Sequence, residues 1–303
     1  MNKKPSQIIF TCLVLFIISN NSHANNWGFL AEMLVSNDNA VSYGDLLETG
    51  NLLSEGDSAL SYLVNVEYQW NDQFSTALEF SDEQYQDLNK YDSHYHSLSL
   101  DWTETIGDFD VSLYGSHINI ALDDTDLTLD MASPSLSYFF SNGIFLNLHH
   151  TLIDKSLSNP EFNYLNATNR TSGLSTYYFF NHSTAFISIS YNHSKENAKI
   201  NNNYDYRQKT TSIATQKSFF FLGKRSKINI SYAIRKRDYN NVSVGSTEYR
   251  TFEDRDRIKI YFDTRFNPQW ALRLSYDFKD RDSNLTDYAY DNNLYSFRVK
   301  YQH

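Results

Sequence analysis

The chain has 303 residues, a formal net charge of -10, a single cysteine, and 16% aromatic residues, with 23 Tyr and 21 Phe. The acidic balance disfavours nucleic-acid partners. The mean hydropathy of -0.54, with no apolar run outside the N-terminus near the roughly 20 residues of a spanning helix, excludes a helical membrane protein, and the aromatic content argues against a disordered chain.

Residues 1–24 read as a secretory signal: Lys3 and Lys4 are the basic start, 8–18 the apolar stretch, and Ser22, His23 and Ala24 the cleavage region. Losing the two lysines takes the net charge from -10 to -12. Cys12 falls inside the signal, so the exported chain has no thiol for catalysis, zinc binding or a disulfide. Residues 25–303 form one domain, with no composition break that marks a linker.

Fourteen strands are predicted in that domain: 27–35, 59–70, 74–85, 95–105, 109–121, 127–140, 144–154, 171–180, 184–194, 207–221, 227–237, 250–266, 270–279 and 294–301. Twelve or sixteen remain open if a strand has been split or merged. Short turns at 71–73, 106–108, 141–143, 181–183, 222–225 and 267–269 alternate with longer polar loops at 36–58, 86–94, 122–126, 155–170, 195–206, 238–249 and 280–293. The first loop is acidic, with Asp38, Asp45, Glu48, Glu55 and Asp57. Successive side chains of a strand point to opposite faces. Leu272, Leu274, Tyr276 and Phe278 accordingly oppose Arg273, Ser275, Asp277 and Lys279, and Tyr295, Phe297, Val299 and Tyr301 oppose Ser296, Arg298 and Lys300. Half-apolar strands with short turns on one side and long loops on the other predict an all-β fold, a transmembrane antiparallel up-and-down barrel with its turns and both termini in the periplasm. Pro134 cannot donate a ladder hydrogen bond, which predicts a bulge in its strand. Trp70, Phe266, Trp270 and Tyr301 are expected at the membrane interface.

The same alternation assigns the lumen. Its basic wall would be Lys227, Arg235, Arg257, Lys259, Arg265, Arg273, Lys279, Arg298 and Lys300, set against Asp263 and Asp277; Glu67, Glu79, Asp101 and Asp110 would make the facing wall acidic. A barrel this wide has room for an aqueous channel. No serine, histidine and third partner stand at a catalytic spacing, and the pair His94 and His96 sits beside a loop. No catalytic, cofactor-binding or metal residue is expected, and no enzyme activity.

The closing hairpin, 279–293 with the strand after it, resembles that of an outer-membrane β-barrel porin group and is similar to the barrel of surface lipoprotein assembly modifiers. Asn37-Asp38-Asn39-Ala40-Val41 and Ser133-Pro134-Ser135-Leu136-Ser137-Tyr138 are similar to stretches of those barrels. The resemblance implies a bacterial outer membrane and about fourteen strands. No helical-repeat pattern like that of the lipoprotein assembly modifiers occurs in the sequence, so a bare channel is the simpler expectation: passive passage of small polar, in particular anionic, solutes. The expected partners are outer-membrane lipid and lipopolysaccharide, the barrel-assembly machinery and the solutes themselves. An export barrel for a polysaccharide or protein secretion system, or a surface adhesin using the acidic loops, are the alternatives.

Overall fold

The computed structural model describes residues 26–39, 56–243 and 245–303. The predicted signal, and Asp45, Glu48 and Glu55 of the first loop, lie outside them. The strands are β1 (Trp27–Asp38), β2 (Asp57–Gln69), β3 (Phe74–Tyr85), β4 (Ser93–Ile106), β5 (Phe109–Ala121), β6 (Asp126–Phe139), β7 (Ile144–Leu157), β8 (Ala167–Phe180), β9 (Ala185–Ala198), β10 (Tyr206–Phe221), β11 (Lys224–Tyr239), β12 (Phe252–Arg265), β13 (Trp270–Ser283) and β14 (Tyr290–Gln302). Each pairs antiparallel with its sequence neighbours, and β1 closes on β14, from Leu30 opposite Gln302 to Asp38 opposite Leu294. Closure leaves no unpaired strand edge.

The six short connections lie at one end, here the turn end. Gly107 and Gly143 adopt positive φ there, as do three successive residues, Asn181, His182 and Ser183. The β10–β11 turn is tighter than the predicted 222–225. Only Leu222 and Gly223 make it, both left-handed at φ 50° and 73°, as a two-residue hairpin turn demands.

The inner face of a barrel is the more crowded one. Leu148, Ile189 and Leu274 are about half exposed on the apolar face, whereas ion pairs such as Arg273–Asp263 fill the other; the apolar face is therefore outward. In β12 it runs through Ile258, Ile260, Phe262 and on to Phe266, close to the length a tilted strand needs to cross the hydrocarbon core. Beyond that band, at the loop end, the outward positions turn polar: His117, Asn119, Asp126, Asp130, Asp254 and Asp256. The barrel thus carries a collar above its apolar band.

The collar explains where the strands outrun the predicted boundaries. β1 continues to Asp38, β2 begins at Asp57, β7 reaches Leu157 and β9 reaches Ala198, because a hydrogen-bonded ladder persists where hydrophobic alternation has stopped. Asp38 and Asp57 are therefore paired strand residues. Asp57 accepts from the backbone N–H of Ser58, Asp87 and Leu88 at 2.7, 2.9 and 2.8 Å. The bulge predicted at Pro134 is absent. Ala132 opposes Leu152 and Ser135 opposes His149 in one unbroken register, with only the two intervening pairs open. The Ser133 and Thr151 hydroxyls bridge that gap at 2.8 Å, so the missing N–H costs two ladder pairs without shifting the strand.

Candidate functional site

Strand pairing places Lys227, Arg235, Arg257, Lys259, Arg265, Arg273, Lys279, Arg298 and Lys300 on the lumen face of β11–β14. Arg273 grips Asp263 through two bonds of 2.6 and 3.0 Å, and Lys227 reaches the same carboxylate at 3.2 Å. Arg257 chelates Asp277. Arg298 and Lys300 share Glu32 of β1, at 2.6 and 4.0 Å. Among the described residues the carboxylates on this wall are shared by more than one cation in all but one case, so it is positive on balance. At the turn end, Arg225, Lys227, Arg265, Arg273, Arg298 and Lys300 line a cavity of about 600 Å³ whose carboxylates are Glu32 and Asp263.

Glu67, Glu79, Asp101 and Asp110 occupy the lumen face of β2–β5. Glu79 accepts from Asn65 at 3.3 Å and Asp110 from Thr105 at 2.7 Å. Glu67, Asp72 and Asp101 line a second turn-end cavity of about 430 Å³ that includes no cationic side chain. The two walls are not opposite each other: they meet through β1. Trp70, Phe266 and Trp270 are 58%, 47% and 43% exposed on the outer face at the turn end, and Tyr301 packs on Trp270 with ring centres 5.0 Å apart. His94 bonds to Asp82 at 2.7 Å on the outside of the collar.

Two features inside the collar were not anticipated from the sequence. The first is Glu253, fully buried among five arginines: Arg235 at 2.7 Å, Arg237 at 3.7 Å, Arg250 at 2.9 Å, Arg255 at 3.4 Å and Arg281 at 2.5 Å. Tyrosine rings sandwich the guanidinium groups, with Arg237 3.8 Å from the Tyr206 ring and Arg250 4.8 and 4.5 Å from Tyr239 and Tyr288. The second is an apolar shelf of inward Ile118, Ile120, Leu127, Leu129 and Leu157, on which the 3-10 turn Pro160–Leu165 seats Phe162, Tyr164 and Leu165. Tyr164 touches Tyr204 of the next loop at 4.9 Å, and Tyr204 touches Tyr249 at 5.9 Å. Loops from several sides of the barrel thus converge over the mouth. Burial, reinforced by neighbouring Tyr164, pushes the Tyr204 hydroxyl up to about 12.

A closed barrel of fourteen antiparallel strands with an apolar outer band and a charged lumen is the fold of outer-membrane β-barrel proteins. No family model and no curated protein matches the sequence. Among solved structures, the chain is similar to in-vitro folded OmpT, an outer membrane protein of Vibrio cholerae, with a TM-score of 0.53 at 9% identity over 91% of this chain and 98% of that one. It is similar to CdiB from Acinetobacter baumannii, with a TM-score of 0.52 at 9% identity over 92% of this chain and 60% of that one. A bacterial polysaccharide outer membrane secretin gives a TM-score of 0.50 at 7% identity, over 90% and 98%.

Proposed function

We propose that the chain is a non-enzymatic channel of the bacterial outer membrane, turn end in the periplasm, that passes small polar solutes and favours anions. The turn-end cavity supports this most directly, with six cationic side chains around two carboxylates. Fixed charge on a pore wall raises the local concentration of counter-ions. The resemblance of the closing hairpin to that of a porin group is in keeping with the reading. The test is the reversal potential of the refolded chain in a planar bilayer under a salt gradient. Changing Lys227, Arg265 and Lys300 to Gln removes three cations of the cavity yet leaves the Arg273–Asp263 and Arg298–Glu32 pairs intact. The reversal potential is expected to move toward cation preference. An unchanged potential in a conducting variant would sink the assignment of this wall, and a folded barrel that never conducts would sink the channel.

A further inference from the structure

At the turn end the lumen has three sectors. β2–β5 present carboxylates and β11–β14 present cations. Between them, β6–β9 present five aromatic rings: Phe139, Phe145, Tyr177, Phe179 and Phe186 all fall on the lumen-facing side of their strands. The rings are contiguous. Phe139 lies 6.5 Å from Phe145 and 6.0 Å from Phe179, Phe145 lies 5.8 Å from Tyr177, and Phe186 lies 5.6 and 5.8 Å from Tyr177 and Phe179. Tyr177 and Phe179 are within 15° of parallel. The lipid-facing girdle does not account for them, since Phe109, Tyr138 and Phe140 already fill the outer side at this height.

Phe139 is 56% exposed, and it faces the lumen, where a bare ring gains nothing from lipid. Ser188 stands opposite Tyr177, and immediately toward the loop end come Ser137, Asn147, Ser175 and Ser190, then Ser135, His149, Gly173 and Asn192. Gly173 leaves the space that the tips of His149 and Asn192 occupy. No Asp, Glu, Lys or Arg stands among these lumen positions. Flat apolar surface flanked by neutral hydroxyl and amide groups matches a pyranose ring, whose C–H faces are apolar and whose rim is all hydroxyl; aromatic surface with a few polar groups is how such sites are usually built. An ionic solute would be drawn to the charged sectors instead.

We propose that this strip is a carbohydrate subsite, on which sugar rings of a neutral oligosaccharide stack while their hydroxyls bond to Ser175, Ser188 and Asn147. The proposal rests on the channel reading and names a solute class for it. The test is calorimetric titration of maltohexaose into the refolded barrel, in an amine-oxide detergent that carries no sugar, with conductance measured on the same preparation. Saturable binding is expected. The double variant Phe139→Ala, Phe179→Ala is expected to bind about tenfold more weakly with unchanged heat-modifiable migration and unchanged salt conductance, while Phe179→Trp keeps the affinity. No saturable binding by the wild-type chain, or equal binding by the double-alanine variant, overturns the proposal. A barrel that binds the sugar but carries no current refutes the channel and leaves the subsite standing; a conducting barrel indifferent to the sugar does the reverse.

Discussion

Glu253 is the residue on which the collar's interior turns. It has no exposure, and its two oxygens are shared among five guanidinium groups. Their mutual repulsion is held down by this carboxylate and by the tyrosine faces of Tyr206, Tyr239 and Tyr288. Breaking a buried ion pair from one side usually costs about 3–5 kcal/mol, because the other charge stays buried without its counter-ion. Glu253→Gln keeps the shape and removes the charge, so it is expected to cost about that much, read as a lower urea midpoint of the folded barrel. Asp254→Asn is the matched control: its pair with Lys236 is exposed and 3.8 Å long, and pairs of that kind contribute at most about 1 kcal/mol. Equal effects from the two variants would mean that the cluster does not hold the collar together. Only a part of the cluster was available in the sequence, since Glu253 and Arg255 share one face by parity. What parity cannot supply is the approach of Arg235 and Arg281 from the adjoining strands and of Arg250 from the preceding loop.

At the scale of elements, period-2 alternation and turn spacing revealed all fourteen strands, because both are local properties of the chain. The loops were harder. The shelf of Ile118, Ile120, Leu127, Leu129 and Leu157 turns the apolar side inward within the collar, with His117, Asn119 and Asp130 facing out. A strand that changes the polarity of its faces part-way has left the bilayer, and its inner face has become a small core. This inversion was legible, but its partner was not, since neither alternation nor turn spacing tells that the turn Pro160–Leu165, which follows β7 directly, folds back onto the inner face. Leu165 is 4% exposed on that shelf, and removing a buried leucine typically costs about 2–5 kcal/mol. That is enough to loosen a six-residue turn whose other ties are aromatic contacts, the Asn159 cap and the hydrogen bonds of Asn159 and Asn166 at its two ends. Leu165→Asp is expected to free the turn and raise single-channel conductance, with the barrel still folded. A folded variant with unaltered conductance would show that the turn lies beside the conducting path and not across it.

At the scale of the whole molecule, the charge pattern has to be weighed against the width of the barrel. Fourteen strands about 4.8 Å apart and tilted about 40° put opposite backbones about 28 Å apart. Fixed charge is screened over about 10 Å at 0.1 M salt and about 3 Å at 1 M. The cationic sector spans β11–β14, so at low salt its field reaches toward the middle of the lumen, whereas at high salt it clings to the wall. Anion preference set by that wall should therefore be clear in gradients around 0.1 M and fade toward the free-solution ratio near 1 M. The loops sharpen the test, because they converge over the mouth where the Glu253 cluster is buried. If ions were selected where the loops converge, they would pass close to the selecting groups and screening would matter little. A preference that survives 1 M salt would thus move the filter from the turn-end wall to the collar; a preference that fades keeps it on Lys227, Arg265, Lys300 and their neighbours, the residues whose neutralisation should then weaken it.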